Sequence, residues 1–185
     1  PHRRRTPQGA PVPSRTRRFV AVLAVVVVAV VTGAGITEAS AADASHQTFK
    51  NAHLGKYLQQ DPMETPHSNA PIRVTDTGWG ADTYHTQAFK PSGWTGNPLR
   101  RLVDNDHGGC VDSHDAGKGD KVWLMGCNGG DYQVWEIFHA SNGAIVFKSY
   151  SAWVRHHQHL CIEGNGDRSA TLETCDVNRD WQQWW

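Results

Sequence analysis

Past residue 41 the chain has no stretch longer than a few residues in which apolar side chains recur at i, i+3 and i+4, which excludes amphipathic helices as its main building element. It also lacks a Gly-x-Ser-x-Gly elbow, a His-Glu-x-x-His pair and a phosphate-binding glycine loop, so the usual signatures of nucleophilic, zinc-dependent and nucleotide chemistry are missing. Positive charge is not in excess. The 18 basic and 18 acidic residues balance over the whole sequence, but residues 1–41 hold six arginines and one glutamate, leaving 12 basic against 17 acidic, a formal charge of −5. A nucleic-acid binder draws its affinity from clustered Lys and Arg that neutralise phosphates, so nucleic acid is excluded as a partner. The longest apolar run, residues 19–31, is 13 residues, short of the roughly 20 that a spanning helix needs.

That run reads instead as the centre of an export signal. Arginines up to Arg18 precede it, and Ala39-Ser40-Ala41 places small residues at both positions that determine cleavage. The expected mature chain starts at Ala42, with no stable membrane anchor. Thr16-Arg17-Arg18-Phe19 matches twin-arginine spacing only imperfectly, which favours the general secretory route. The remaining 144 residues fit one domain with its own core. Export into an oxidising compartment makes the four cysteines readable as two disulfides, for which three connectivities exist.

Gln133-Val134-Trp135 recurs as Gln182-Gln183-Trp184, and a weaker form, Gln87-Ala88-Phe89, lies upstream. The aromatic residues are spaced by 46 and 49 positions, which implies three repeated units sharing one core. Each strong copy follows a cysteine, an apolar residue and an acid (Cys110-Val111-Asp112, Cys161-Ile162-Glu163), then a second cysteine (Cys127, Cys175). The modules run from about 46 to 97, 98 to 140 and 141 to 185. If they are built alike, Cys110 pairs with Cys127 and Cys161 with Cys175. The first module is degenerate: in Leu54-Gly55-Lys56-Tyr57-Leu58-Gln59, Tyr57 takes the cysteine position and Gln59 the acidic one, and Asp61 to Pro71 reads as an inserted surface loop.

Short apolar runs at Arg101 to Val103, Lys121 to Met125, Tyr132 to Ile137, Ala144 to Phe147, Leu160 to Ile162 and Ala170 to Glu173 read as strands between turn residues. Many short strands predict an all-β sandwich or barrel. Within a strand Gln133 would share a face with Trp135 and Gln182 with Trp184. A buried indole then supplies core area, and a glutamine amide is satisfied by polar groups of its own module.

Tripled Gln-x-Trp modules with an intramodule cysteine pair resemble the ricin B-type lectin family, and the resemblance implies a β-trefoil of three four-stranded modules with pseudo-threefold symmetry. It implies a non-catalytic, secreted protein whose partner is a glycan or polysaccharide and which needs no cofactor. The family's sugar contacts map onto Asp112, Trp123, Met125, Tyr132 and Gln133 in the middle module. In the last they map onto Glu163, Thr171, Glu173, Trp181 and Gln182. Two carboxylates beside Trp181 would suit a cationic or amino sugar, set against the alternative of solvated surface acids. Met125 is not an aromatic platform, a role that Trp123 supplies from one step away unless it only packs on the disulfide. Gln59 removes the acid from the first module, so no sugar site is expected there.

His156-His157-Gln158-His159 lacks a third ligand nearby in sequence and reads as a surface loop, and Asp104-Asn105-Asp106 lacks the remaining ligands of a calcium loop and reads as a turn. No metal site is expected. Asp112 and Glu163 occupy equivalent positions in different modules, which argues against a glycosidase pair. The alternative to a lectin is a trefoil scaffold that binds or inhibits another protein, motivated by the incomplete sugar sites and by Trp79, Trp94 and Trp153.

Overall fold

Among the described residues, turn residues separate ten short strands: β1 (Tyr57–Gln60), β2 (Ala70–Thr75), β3 (Tyr84–Phe89), β4 (Leu99–Asp104), β5 (Gly109–Asp112), β6 (Trp123–Gly126), β7 (Trp135–His139), β8 (Ile145–Ser149), β9 (Leu160–Gly164) and β10 (Ala170–Thr174). The structure is a computed structural model and describes residues 47–61, 69–76 and 81–185. The expected export segment and its cleavage site, most of the 61–71 insertion, and Trp79 lie outside the described residues. The six runs read as strands each fall on a strand, β4 and β6 to β10. Among the described residues no helix is long and apolar enough to cross a membrane.

The strands pair antiparallel in a threefold pattern. Each module contributes one hairpin, β1 with β2, β5 with β6 and β9 with β10. Neighbouring modules are joined along β3 with β4 and β7 with β8. The third joint is made between segments far apart in sequence: Lys50 and Trp185 exchange both backbone hydrogen bonds (2.8 and 2.9 Å). Bridges at Gln47, Lys50 and Asn51, and at Trp184, supply the two strand positions that the ten named strands leave. At one end the hairpins meet each other, with Ala70 opposite Leu124, Lys121 opposite Thr171 and Arg73 opposite Ser169. The architecture is an all-β trefoil.

Its core is assembled from equivalent positions of the three modules. Leu58, Val111 and Ile162 follow the cysteine position and are buried, as are Phe49, Leu102 and Phe147 from the first strand of each module. Trp135 and Trp184 have no solvent exposure. Each indole N–H donates to the carbonyl of the residue after the first cysteine, Val111 (3.0 Å) and Ile162 (3.4 Å). Both disulfides form as the repeat register implied, Cys110 with Cys127 and Cys161 with Cys175. Gly109, beside Cys110, lets Leu124 approach closely: a Cβ there would stand 2.6 Å from Leu124 Cγ.

Three expectations are corrected. The first copy of the repeat is Asp82-Thr83-Tyr84, not Gln87-Ala88-Phe89. Tyr84 is fully buried and its hydroxyl donates to Leu58 O (3.4 Å), the bond that each tryptophan makes in its module. Gln87 and Ala88 are exposed, and Phe89 lies under the guanidinium of Arg101. Gln133 and Gln182 sit in short 3-10 turns (Asp131–Gln133 and Asp180–Gln182), so strand alternation does not set their direction. Finally, a helix, α1 (Tyr150–His156), interrupts the loop between β8 and β9. Ser149 caps it by accepting from Ala152 N, and His157 ends it in the left-handed region. Only Ser151 and Ala152 of its seven residues are buried, so it leaves no apolar stripe in the sequence.

Candidate functional site

The pairing of β5 with β6 sets Asp112 opposite Trp123 and Cys110 opposite Met125. Residues two apart share a face, so the Asp112 carboxylate, the Trp123 indole and the Met125 thioether lie on one side of this hairpin. Asp112 accepts from His114 N at Oδ1 (2.7 Å). Burial raises its pKa, opposed by the His114 N–H, the Gln133 amide and the His114 charge. No Lys or Arg pairs with it among the described residues. The His114 ring lies 5.5 Å from the Trp123 ring, tilted by 32°.

Gln133 closes the back of this site. Its Nε2 donates to Gly126 O (2.9 Å) and its Oε1 accepts from Asn128 N (3.0 Å), so the amide holds the chain around Cys127 while steadying Asp112. Tyr132, one residue before it, uses its carbonyl to accept from both the N–H and the hydroxyl of Ser113 (2.9 Å each). Its ring is covered by the guanidinium of Arg155, 4.4 Å away.

In the last module the same frame is filled by the protein itself. Gln182 repeats the role of Gln133, donating to Thr174 O (2.9 Å) and accepting from Asp176 N (2.9 Å). Glu163, buried, accepts from Gln182 Nε2 (2.8 Å) at one oxygen and pairs with Arg179 (2.8 Å) at the other. Thr171 stands opposite Glu163 but its hydroxyl accepts from Asn165. Glu173 is 3.8 Å from Lys118. His53 stacks on Trp181 (3.9 Å, 21°) with its Nδ1 2.9 Å from Asp180 Oδ2. Neither alternative for this pair of acids fits Glu163: it is buried rather than solvated and already neutralised by Arg179, while His53 covers an indole face of Trp181. Neither residue belongs to the Cys, acid and Gln-x-Trp register, so neither was legible from it.

In the first module Gln59 stands opposite Arg73 and receives the Thr75 hydroxyl, while Arg73 pairs with Asp61. At the position of Asp112 this hairpin therefore carries an uncharged amide.

A separate acidic cluster sits where β3 meets β4. Asp82, Asp104 and His107 bring donor atoms within 4.8 Å of one another. Asp104 caps the 104–107 turn, with Oδ1 accepting from the N–H groups of Asp106 (2.7 Å) and His107 (3.0 Å) and Oδ2 facing His107 Nδ1 (3.0 Å). Asp82 accepts from Gln60 N (2.6 Å). Burial pushes Asp82 up to about 6, helped by Asp104 and Asp106 and opposed by the Gln60 N–H and by His107. A raised carboxyl binds its proton more tightly when folded. Its stabilising contribution is thus present below the ordinary value of 3.8 and is lost as pH rises through about 6. The shift corresponds to roughly 2–3 kcal/mol. Asp82→Asn is expected to be more stable than the parent by about that amount near neutrality and equal to it near pH 4. Urea midpoints across that range check this, and a parent profile without the fall would refute it.

Trp153 on α1 stacks with His159 (4.8 Å, 17°) and meets His157 edge-on (5.7 Å), so the histidine cluster packs on an aromatic ring at the surface.

No family model matches the sequence, and no curated protein matches it. Solved structures share its fold. ThreeFoil, a designed threefold-symmetric protein, superposes with a TM-score of 0.59 at 18% identity, over 76% of this chain and 95% of that one. A salivary protein from Culex quiquefasciatus of the Cysteine and Tryptophan-Rich family gives 0.57 at 17% identity, over 74% and 88%. A lectin from Polyporus squamosus gives 0.56 at 14% identity, over 76% of this chain and 47% of that one. At these identities the likeness concerns the β-trefoil fold alone.

Proposed function

We propose that the protein is a secreted, lectin-like carbohydrate-binding β-trefoil of the ricin B type, with its domain at residues 42–185, which holds a glycan or polysaccharide on its middle module without altering it. The observation that carries this reading is the asymmetry of three equivalent positions. Gln59 has no charge and Glu163 is paired with Arg179. Asp112 alone keeps a carboxylate with no Lys or Arg on it among the described residues, directly across from the part-exposed Trp123. A carboxylate accepts hydrogen bonds from adjacent sugar hydroxyls, and an indole covers the apolar face of the ring. Met125 widens that apolar floor, and Gln133 fixes the carboxylate. Two disulfides are compatible with the oxidising compartment that export implies. For glycosidase chemistry the sequence offers Glu163 as the second carboxylate, and that group belongs to another module and is held by Arg179.

Asp112→Ala removes a charged acceptor, a loss of roughly 10- to 100-fold in glycan affinity. Titration of a glycan found by array screening, against parent and variant, measures it. Because burial raises Asp112, affinity is expected to fall on acidification from above the usual carboxylate range. A parent protein that binds no glycan at millimolar concentration sinks the reading.

A second reading, a scaffold that binds or inhibits another protein, is favoured by the exposed apolar side chains Trp153, Val154 and Trp185. A partner captured from culture supernatant that survives excess glycan would select it.

A further inference from the structure

The helix α1 belongs to the third module by sequence but is docked on the second. Tyr150 N donates to Val134 O (3.0 Å), and Ser151 Oγ is 2.7 Å from Ser113 Oγ, with Ser113 next in sequence to Asp112. Both serines are fully buried, so this contact fixes the helix beside the middle site. The helix thereby lays Arg155 across the ring of Tyr132, the residue that precedes Gln133.

Arg155 is positioned but chemically unspent. Its guanidinium lies 4.4 Å from the Tyr132 centroid, a stacking that restrains it without using its N–H groups. Its ionic neighbour, Asp131, is 3.6 Å away, beyond hydrogen-bonding distance, and no hydrogen bond from Arg155 is made among the described residues. A planar fork of donors held in place and nearly half-exposed is the arrangement that recognises a carboxylate in two-point fashion.

We infer that the middle site takes an anionic glycan, one bearing a uronic or other carboxylated sugar, with Arg155 binding the ligand carboxylate while Asp112 receives hydroxyls at the other end. This inference rests on the lectin reading and narrows its substrate class. Asp131, the nearest competing carboxylate, is half-exposed and only loosely paired, so a ligand carboxylate displaces it from Arg155.

The test uses the full mature chain and a matched pair of probes: an oligosaccharide containing uronic acid, and the same compound with each carboxylate reduced to an alcohol. The parent is expected to prefer the acidic probe by at least about tenfold. Arg155→Gln should bring the two within about twofold, chiefly by weakening the acidic probe, in a protein whose circular dichroism shows the same fold as the parent. Asp131→Asn should shift the preference the other way, raising it by a few-fold (~2–5) at low salt. A parent that binds the neutral probe as tightly, or an Arg155→Gln variant that keeps the preference, overturns the inference and leaves the lectin reading standing. Failure of both probes together with all neutral glycans overturns the two at once.

Discussion

Reduction of both disulfides is expected to unfold most of the molecule under conditions in which the oxidised protein is stable. Cys110–Cys127 and Cys161–Cys175 close loops with sequence separations of 17 and 14. The chain-entropy estimate for each is about 3 kcal/mol, so the pair amounts to about 6 kcal/mol against a total stability of roughly 5–15 kcal/mol. Their placement adds to this. Cys110 and Cys161 each stand one residue before the buried Val111 and Ile162, whose carbonyls accept the tryptophan N–H bonds. Loosening a hairpin thus loosens its core aromatic. Urea unfolding with and without a reductant should show a large drop in midpoint, and a reduced protein with an unchanged midpoint would remove the disulfides from the account. Single Cys→Ser pairs should each cost about half the total.

Tyr84→Ala is expected to cost about 3–5 kcal/mol, and Phe89→Ala less than about 1 kcal/mol. Tyr84 is buried at the centre, packs on Phe49 (centroids 5.6 Å apart) and is the first module's counterpart of Trp135 and Trp184. Phe89 is only partly buried and its visible partner is the Arg101 guanidinium. Tyr84→Phe isolates the hydroxyl, which donates to Leu58 O, and should cost about 1 kcal/mol. Equal effects for the two alanine variants would restore Gln87-Ala88-Phe89 as the first repeat.

That contrast also marks how far the sequence could be read. Where a module keeps both cysteines, its order of Cys, acid, Cys and Gln-x-Trp was legible, because the residue types themselves are kept along with the bonds they make: the disulfide, the indole N–H to the carbonyl after the cysteine, the amide to the turn after the second cysteine. In the first module the same places are filled by Tyr57, Gln59 and Asp82-Thr83-Tyr84, which preserve geometry but not identity. Gln87-Ala88-Phe89 imitated the letters five residues too late. With Tyr84 restored, the aromatic spacings become 51 and 49, closer to one period than the 46 and 49 read from Phe89.

The candidate site could be placed from its acid, while the state of its surroundings stayed hidden. Asp112 and Trp123 follow from register, but the state of the equivalent Glu163 depends on Arg179, which arrives from the turn before Trp181. His53 reaches Trp181 from 128 positions away in the chain, and Arg155 reaches Tyr132 from the next module. Such contacts carry no local pattern. The helix that delivers Arg155 was unreadable for a related reason: it is held by a serine cap and buried serines rather than by an apolar stripe.

The joint between Lys50 and Trp185 has a consequence in time. The other two module joints lie between strands close in sequence, β3 with β4 and β7 with β8, and can zip as soon as each hairpin leaves the ribosome. The third spans 135 positions and waits for residues 183–185, where Ala52 N meets Gln183 O and Lys50 meets Trp185. Bringing together segments so far apart carries the largest loop-closure cost of the three joints, so this pairing is expected to form after the two local ones.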